Sequence, residues 1–161
     1  MEDKLTGIND RDGRHYNCCE STLLIVNDSY PLPGFKSNIM KASSLTGAGV
    51  NYSGSACGAV VGTATALGLV YGTDGTESPE EFQEKRQKSR ALMRPIVKAF
   101  KEKFGSINCK GLTGLDFLVD EDRKRWSAVS DERETAPVNC HDYINWAAKQ
   151  VIDILDSKQP S

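Results

Sequence analysis

The sequence lacks the features of several large functional classes. Its formal net charge is only -2 and it has no basic block or stripe, so we expect no nucleic-acid partner. The segment from Met1 to Leu5 lacks the basic and apolar pattern of a secretory signal, which predicts a cytoplasmic protein. A phosphate loop, a dinucleotide fingerprint or a Ser–His–Asp arrangement cannot be assembled from it. With 39% hydrophobic and 26% charged residues, the composition is typical of a globular domain.

Strongly hydrophobic runs are missing as well. Residues 55–72 are uncharged, but they are mostly Gly, Ala, Ser and Thr, and the gain from inserting them into lipid would be small. We therefore expect no membrane span and interpret this run as a buried helix. Gly54, Gly58 and Gly62 follow one another at four-residue spacing, which lets a second backbone approach closely.

Sustained two-residue alternation is also absent, so the sequence predicts an all-α fold, a compact helical bundle of about five helices with a Gly-rich loop. Residues 1–16 are expected to form a flexible N-terminal arm, and residues 17–161 a single helical domain. The Ser78-Pro-Glu-Glu81 sequence is the clearest helix start, because it combines a serine cap, a proline and a capping box. The first predicted helix begins at Asn17, and the second runs from Phe35 to Leu45. The third runs from a Ser55 cap to about Tyr71, and the fourth from Ser78 to Gly105 with a kink at Pro95. The last begins at Asn139, and a further short helix is expected near Trp126.

The five cysteines form no Cys-x-x-Cys pair, which disfavours a zinc finger. A disulfide framework is not expected in a chain without a secretory signal. Metal binding, redox chemistry and simple burial of the thiols remain open on spacing alone.

The local context of the cysteines is more informative than their spacing. Cys18, Cys109 and Cys140 each follow an asparagine, and Cys57 comes two residues after Ser55. If these polar residues are helix caps, each cysteine lies in a first helical turn, where the amide groups and the helix dipole favour a thiolate. Thiolates are required for both metal ligation and disulfide exchange. A cofactor site and a set of buried thiols are both consistent with this pattern.

A loop rich in glycine precedes Cys57. Glycine lets the main chain come close to a bound group, so the loop glycines are candidate cofactor-binding residues. These glycines are Gly47, Gly49 and Gly54.

The run Cys57-Gly-Ala-Val-Val-Gly62, with Ala66-Leu-Gly-Leu69 and Gly72 after it, resembles the signature of the C_GCAxxG_C_C family of redox-active proteins. The resemblance extends over nearly the whole chain. It includes Asn17-Cys18, the run from Phe100 to Cys109, Leu112-Thr-Gly-Leu-Asp116 and Cys140 at the start of the last helix. The chain departs from many relatives at Asn51 and Tyr52, where they have further glycines.

The resemblance implies that Cys18, Cys57, Cys109 and Cys140 are the family's four cysteines. The family is similar to a domain of split-Soret cytochromes, and this implies an iron–sulfur cluster, [4Fe–4S] or [2Fe–2S], used for electron transfer with a redox partner protein. Zinc at the same four cysteines is one alternative. Thiol–disulfide chemistry without metal is another. A structural or interaction protein with buried thiols is the third.

Other residues are weaker candidates. Cys19 is a fifth cysteine outside the family pattern, either buried or a spare ligand. His141 could be a ligand or a proton donor, although a surface position is typical for a histidine in a first helical turn. Asp116, Asp120 and Glu121 are best explained as a solvated charged face. The small-residue helix could also support a homodimer.

Overall fold

The computed structural model describes residues 10–130 and 140–158, and these residues are mainly helical. A two-stranded antiparallel hairpin comes first and pairs Asp10 with His15 and Arg11 with Arg14. Eight helices follow, so the predicted all-α class is confirmed. The elements are β1 (Asp10–Arg11), β2 (Arg14–His15), α1 (Cys18–Ser29), α2 (Ser37–Ser43), α3 (Gly47–Val50), α4 (Gly58–Tyr71), α5 (Pro79–Phe104), α6 (Cys109–Thr113), α7 (Asp120–Ser130) and α8 (Cys140–Ser157).

The helices number eight in the described residues, rather than about five. Two helices that were not predicted, α3 and α6, are too short to give a periodic sequence pattern, and the backbone of α3 is left-handed at Ala48 and Gly49. The predicted short helix near Trp126 is α7. The second helix is shorter than predicted, because α2 spans only Ser37–Ser43. Residues 1–9 and the predicted cap Asn139 lie outside the described residues. The division into a flexible arm and one domain stays a prediction.

The core is formed where α1, α4 and α8 pack against one another, with α5 packed against α4 and α8. Helix α1 contributes Leu23 and Val26, which are fully buried, and α5 contributes Phe100. Helix α4 has neighbours on several sides, which explains why the run from residue 55 to 72 carries no charge. None of the described helices is both long enough and apolar enough to cross a membrane.

Two helix starts agree with the predicted caps. Asn17 and Glu20 form a capping box at α1, and Ser78 and Glu81 form one at α5. Helix α5 ends at Gly105 in the left-handed conformation, as predicted, and it contains Pro95 within its length.

The predicted Ser55 cap is wrong. Helix α4 begins at Gly58, and Cys57 itself occupies the N-cap position. The backbone of Ser55 instead pairs with Cys109, which holds this segment extended before the helix starts. Asn108 precedes α6, but its side chain makes no capping hydrogen bond.

Candidate cysteine redox site

Cys18 is the first residue of α1, and its position is fixed by the preceding asparagine. The Asn17 side-chain oxygen accepts a hydrogen bond from the Glu20 N–H at 2.9 Å. The Asn17 amide group also donates to the carbonyl oxygens of Ser43 and Ser44, at 3.0 and 3.1 Å. The start of α1 is therefore tied to the end of α2, just before the glycine-rich loop.

Cys57 and Cys109 are brought together by a short antiparallel bridge between Ala56 and Asn108. The Cys57 N–H donates to the Ile107 carbonyl at 2.7 Å, and the Cys109 N–H donates to the Ser55 carbonyl at 2.7 Å. The bridge places the two cysteines at the starts of α4 and α6, side by side, although 52 positions separate them in the sequence.

Cys140 is the first described residue of α8, and its thiol completes the group. The Cys140 thiol lowers the pKa of Cys18, and Cys18 raises the pKa of Cys140. Charge on Cys18 also raises the pKa of Cys57 and Cys109, and it makes a smaller contribution at the buried Cys19. We call Cys18, Cys57, Cys109 and Cys140 the cysteine cluster.

The four thiols of the cysteine cluster differ in acidity. The Cys140 thiol is the main cause that lowers the pKa of Cys18, and the N–H groups of Cys18 itself and Ala48 add to this effect against its burial. The interaction of the Cys140 thiol with Cys18 and the burial of Cys140 both raise the pKa of Cys140. Burial, together with the charge on Cys18, raises the pKa of Cys57 to about 12 and that of Cys109 to about 11. Cys18 is therefore the thiol that most readily carries negative charge.

Close approach of α1 and α4 depends on two glycines of the family-like run. A Cβ on Gly58 would lie 2.8 Å from the Cys18 Cβ, and a Cβ on Gly62 would lie 2.8 Å from the Cys19 carbonyl oxygen. Distances below 3 Å are not tolerated without movement of the backbone. The predicted role of the four-residue glycine spacing in tight helix packing is confirmed.

The three loop glycines pack near two members of the cysteine cluster. A Cβ on Gly49 would lie 2.7 Å from the Cys109 Cβ, and one on Gly47 would lie 2.4 Å from the Asn17 Cβ. Gly54 is next to Lys110, whose N–H donates to the Gly54 carbonyl at 3.0 Å. The loop thus contacts Cys109 directly and Cys18 through its cap. Cofactor binding by these glycines stays a prediction.

The remaining sequence candidates have surroundings of their own. Cys19 is fully buried in the core, where burial raises its pKa and where Thr46 and Ser43 contact its thiol. His15 is exposed on β2 and pairs with Asp10 at 2.9 Å. His141 is half-buried in the first turn of α8. Asp116 forms an ion pair with Lys110 at 2.7 Å.

Tyr143 is a neighbour of the cysteine cluster that the sequence analysis missed. Burial raises its pKa, and charge on Cys140, Cys57 and Cys109 raises it further. Its ring packs on Phe104 with ring centroids 4.8 Å apart. The signal in the sequence is its position three residues after Cys140, which places it one helical turn away on the same side of α8.

The cysteine cluster fits an iron–sulfur cofactor by its donor chemistry, because all four members are thiols and Cys₄ is the usual ligand set of such clusters. The close packing of Gly49 on Cys109 and of Gly58 on Cys18 leaves the main chain beside two of these donors. The fit is one of donor chemistry and not of preformed geometry. Within residues 10–130 and 140–158, no three or more His, Cys, Asp or Glu side chains are arranged so that they could hold a metal ion, and this applies to the four thiols as they stand.

Comparison with known proteins gives a family match. The family model "Putative redox-active protein (C_GCAxxG_C_C)" matches residues 16–154, a range that contains the entire cysteine cluster and the glycine-rich loop. No curated protein and no solved structure matches the chain significantly. Since the family match extends over most of the sequence, the chain belongs to the C_GCAxxG_C_C family of redox-active proteins.

Proposed function

We propose that the chain is an electron-transfer protein in which the cysteine cluster binds an iron–sulfur cofactor. The observation that carries this proposal is that four thiols from four separate helix starts lie near enough for negative charge on Cys18 to raise the pKa of each of the other three. When bound, an iron–sulfur cofactor would accept and donate single electrons. The resident ligands would be Cys18, Cys57, Cys109 and Cys140.

The surroundings of the thiols support the binding of a negatively charged group. Cys18 and Cys57 stand at the starts of α1 and α4, where the helix dipole and the first-turn amides favour negative charge. The N–H groups of Ala59 and Val60 lower the pKa of Cys57 against the effect of burial, and the N–H of Ala48 does the same for Cys18. Hydrogen bonds of this kind orient ligands and adjust the reduction potential of a metal site.

Exclusion of water is the second contribution of the protein. Cys57 is only 6% exposed, and Tyr143 with Phe104 packs beside the start of α8. Burial and limited solvent access are among the factors that set the potential of an iron–sulfur site. Cys18, Cys109 and Cys140 are half-buried, so the site is not sealed from solvent and a partner protein could approach it to exchange electrons.

We propose iron rather than zinc because the chain belongs to a family of redox-active proteins. Zinc has no redox chemistry, so a zinc site would have a structural role in a redox-active family. Zinc at the same thiols is the alternative metal that the experiment below must separate.

Thiol–disulfide exchange is a second candidate function, and one observation favours it. The Cys140 thiol lowers the pKa of Cys18, so a low-pKa thiol is coupled to a possible resolving thiol. In that reaction, Cys18 would attack a disulfide of a partner protein and Cys140 would then displace the partner. One S–S bond would form in the chain, the partner's S–S bond would break, and the two thiol protons would pass to the partner's sulfurs.

The partner assignments follow from these proposals. An electron donor or acceptor protein is required in either case, and a homodimer through the small-residue helix stays a prediction. A cytoplasmic location stays a prediction.

The test is the content of iron, acid-labile sulfide and zinc per chain after anaerobic purification, with the visible absorption spectrum. We expect iron and sulfide in matching amounts in the wild-type chain and in Cys19→Ser, and their loss in Cys57→Ser. Cys19→Ser is the matched control, because Cys19 is buried like Cys57 but lies outside the cysteine cluster.

Other results would contradict the iron–sulfur proposal. Zinc without sulfide would make the site structural. Metal-free protein that forms a reversible Cys18–Cys140 disulfide would favour thiol–disulfide exchange. Equal tolerance of serine at Cys57 and Cys19, with no metal and no disulfide, would favour buried thiols without redox chemistry.

A further inference from the structure

Helix α5 carries a row of basic side chains on its surface. Positions four apart on an α-helix differ by about 40° around its axis, and positions three apart differ by about 60° in the opposite direction. The members of the row are spaced by four, four and three residues, so they lie on one face of the helix. We call this set the basic row, and its exposed members are Arg90, Arg94, Lys98 and Lys101.

The basic row lies away from the side of α5 that faces the core. That side contains the buried residues Ile96 and Phe100. Only apolar residues separate the members of the row in the sequence, so no contiguous basic block is visible there. The sequence analysis, which found no basic stripe, is therefore wrong for this helix.

The basic row differs in its ion pairing from the beginning of the same helix. There, Lys88 pairs with Glu84 at 2.6 Å. In the row, Lys98 is 3.8 Å from the Glu102 carboxylate. Within the residues that the structure describes, the other three members of the row form no salt bridge. Most of the positive charge of the row is thus available to an external partner.

The stability of α5 does not explain the basic row. Like charges four residues apart destabilise a helix, and Arg94 has such a neighbour on each side, at Arg90 and Lys98. The helix dipole favours basic residues only near the last turn, where Lys101 lies. Arg90 and Arg94 lie ten or more residues before the end of the helix. A partner that supplies negative charge from outside accounts for both of them.

The distribution of charge favours an acidic protein as that partner. From Arg90 to Phe104 the chain has five basic residues and one acidic residue, a net charge of +4. The whole chain has a net charge of -2, so the remaining residues carry -6. This separation of charge orients an approaching acidic surface toward the row. The negative remainder repels a long polyanion such as a nucleic acid.

The end of α5 adjoins the cysteine cluster. The helix ends at Phe104, whose ring packs on that of Tyr143 with centroids 4.8 Å apart, and Tyr143 is one helical turn after Cys140. Three residues after Phe104, the Ile107 carbonyl accepts a hydrogen bond from the Cys57 N–H at 2.7 Å. A protein bound along α5 therefore lies next to the helix end that contacts two of the cysteine-bearing segments.

We infer that the basic row is the docking surface for an acidic redox partner protein, whose carboxylates pair with its arginine and lysine side chains. Charge pairs of this kind raise the rate of association, and they suit the small, short-lived interfaces of electron transfer. The inference rests on the proposed exchange of electrons with a partner protein, but not on which cofactor the cysteines bind.

The test measures the binding of a fluorescein-labelled poly-L-glutamate peptide to the full-length chain by fluorescence anisotropy. Two double variants are compared, Arg90→Glu/Arg94→Glu and Lys88→Glu/Lys124→Glu. Both reverse two positive charges at exposed helical positions, but only the first pair belongs to the basic row. The second pair is therefore the control for the change in net charge.

We expect Arg90→Glu/Arg94→Glu to weaken binding of the peptide about tenfold, because attractive charge pairs become repulsive. Lys88→Glu/Lys124→Glu should weaken it less than about twofold, and added salt should weaken wild-type binding by screening the exposed charges. No binding by the wild-type chain, or equal weakening in both double variants, would overturn the inference. Tighter binding of single-stranded DNA than of poly-L-glutamate would also overturn it, by identifying a nucleic-acid surface.

Voltammetry tests whether the basic row serves electron exchange. The full-length chain is measured at gold electrodes coated with either a carboxylate-terminated or an amine-terminated monolayer. The wild-type chain and the control variant should exchange electrons faster at the carboxylate surface, and Arg90→Glu/Arg94→Glu should lose this preference. Equal rates at both surfaces in the wild-type chain would contradict the docking role. A chain without a redox signal at either surface would defeat the proposed function, whereas binding of poly-L-glutamate would still decide whether the row accepts an acidic protein.

Discussion

At the scale of single residues, two glycines of α4 should have opposite effects on the stability of the fold. Gly62 faces α1, where a Cβ would lie 2.8 Å from both the Cys19 carbonyl oxygen and the Thr22 Cβ. Gly68 is in the same helix, and nothing lies within 4 Å of a Cβ there. The first glycine is required by packing and the second is not.

We predict that Gly62→Ala lowers the free energy of unfolding by about 1–3 kcal/mol, the usual effect of overpacking. Gly68→Ala should raise it by about 0.5–1 kcal/mol, because alanine is the better helix former. Urea denaturation of the two variants measures both changes. Similar changes in the two variants would show that α1 and α4 are not in close contact.

Strain at Val50 gives a second prediction at this scale. Val50 and Val119 are both 47% exposed, but only Val50 has a positive φ. Val50→Gly should stabilise the protein by up to about 1 kcal/mol, since relief of the left-handed strain exceeds the entropy that glycine adds to the unfolded chain. Val119→Gly has no such relief and should destabilise it. Thermal unfolding of both variants measures these changes. A loss of stability in Val50→Gly would show that the left-handed backbone at Val50 is not strained.

At the scale of elements, the caps show what the sequence can and cannot predict. Asn17 and Ser78 were predicted because a cap and a glutamate three residues later form a local pattern that needs nothing else from the fold. Ser55 was assigned wrongly, because its backbone is engaged by Cys109, which is distant in the sequence. Local chemistry therefore predicts a helix start only where no distant strand or bridge competes for the same backbone.

The capping box of α5 can be tested directly. Ser78→Ala removes the oxygen that accepts from the Glu81 N–H at 3.2 Å, and we expect it to lower the free energy of unfolding by about 1 kcal/mol. Ser89→Ala is the control, since Ser89 is a half-buried serine inside the same helix whose hydroxyl donates to the Arg86 carbonyl at 3.1 Å and caps no helix end. Chemical denaturation measures both, and an equal effect would mean that the cap contributes nothing specific.

At the scale of the whole molecule, only the family resemblance selects four of the five cysteines from the sequence. Their spacing alone left metal binding, redox chemistry and burial open, and Cys19 could not be separated from Cys18. The structure groups Cys18 with Cys140 and buries Cys19 in the core. Which cysteines meet depends on how α1, α4 and α8 pack, and neighbouring positions in the sequence do not determine this packing.

Removal of a bound cofactor should lower the melting temperature of the chains that can bind it and leave that of a ligand variant unchanged. A ligand that binds only the folded chain stabilises it according to its concentration and affinity, so an iron–sulfur cofactor held by the cysteine cluster would raise the melting temperature. Chelation of the iron should then lower the melting temperature in the wild-type chain and in Cys19→Ser. In Cys109→Ser, which lacks a ligand, chelation should change little.

Helix α6 should loosen first in the chelated protein. It has only five residues, and the bridge through Ser55 and Gly54 is its main backbone attachment to the segment before α4. Helix α5, by contrast, has 26 residues and buries Phe100 in the core. We therefore expect faster hydrogen exchange at the amides of Cys109 and Lys110 after chelation, with exchange at Phe100 unchanged. Uniform acceleration in both helices would instead indicate that the cofactor stabilises the fold as one unit, and unchanged exchange in α6 would place the cofactor away from Cys109.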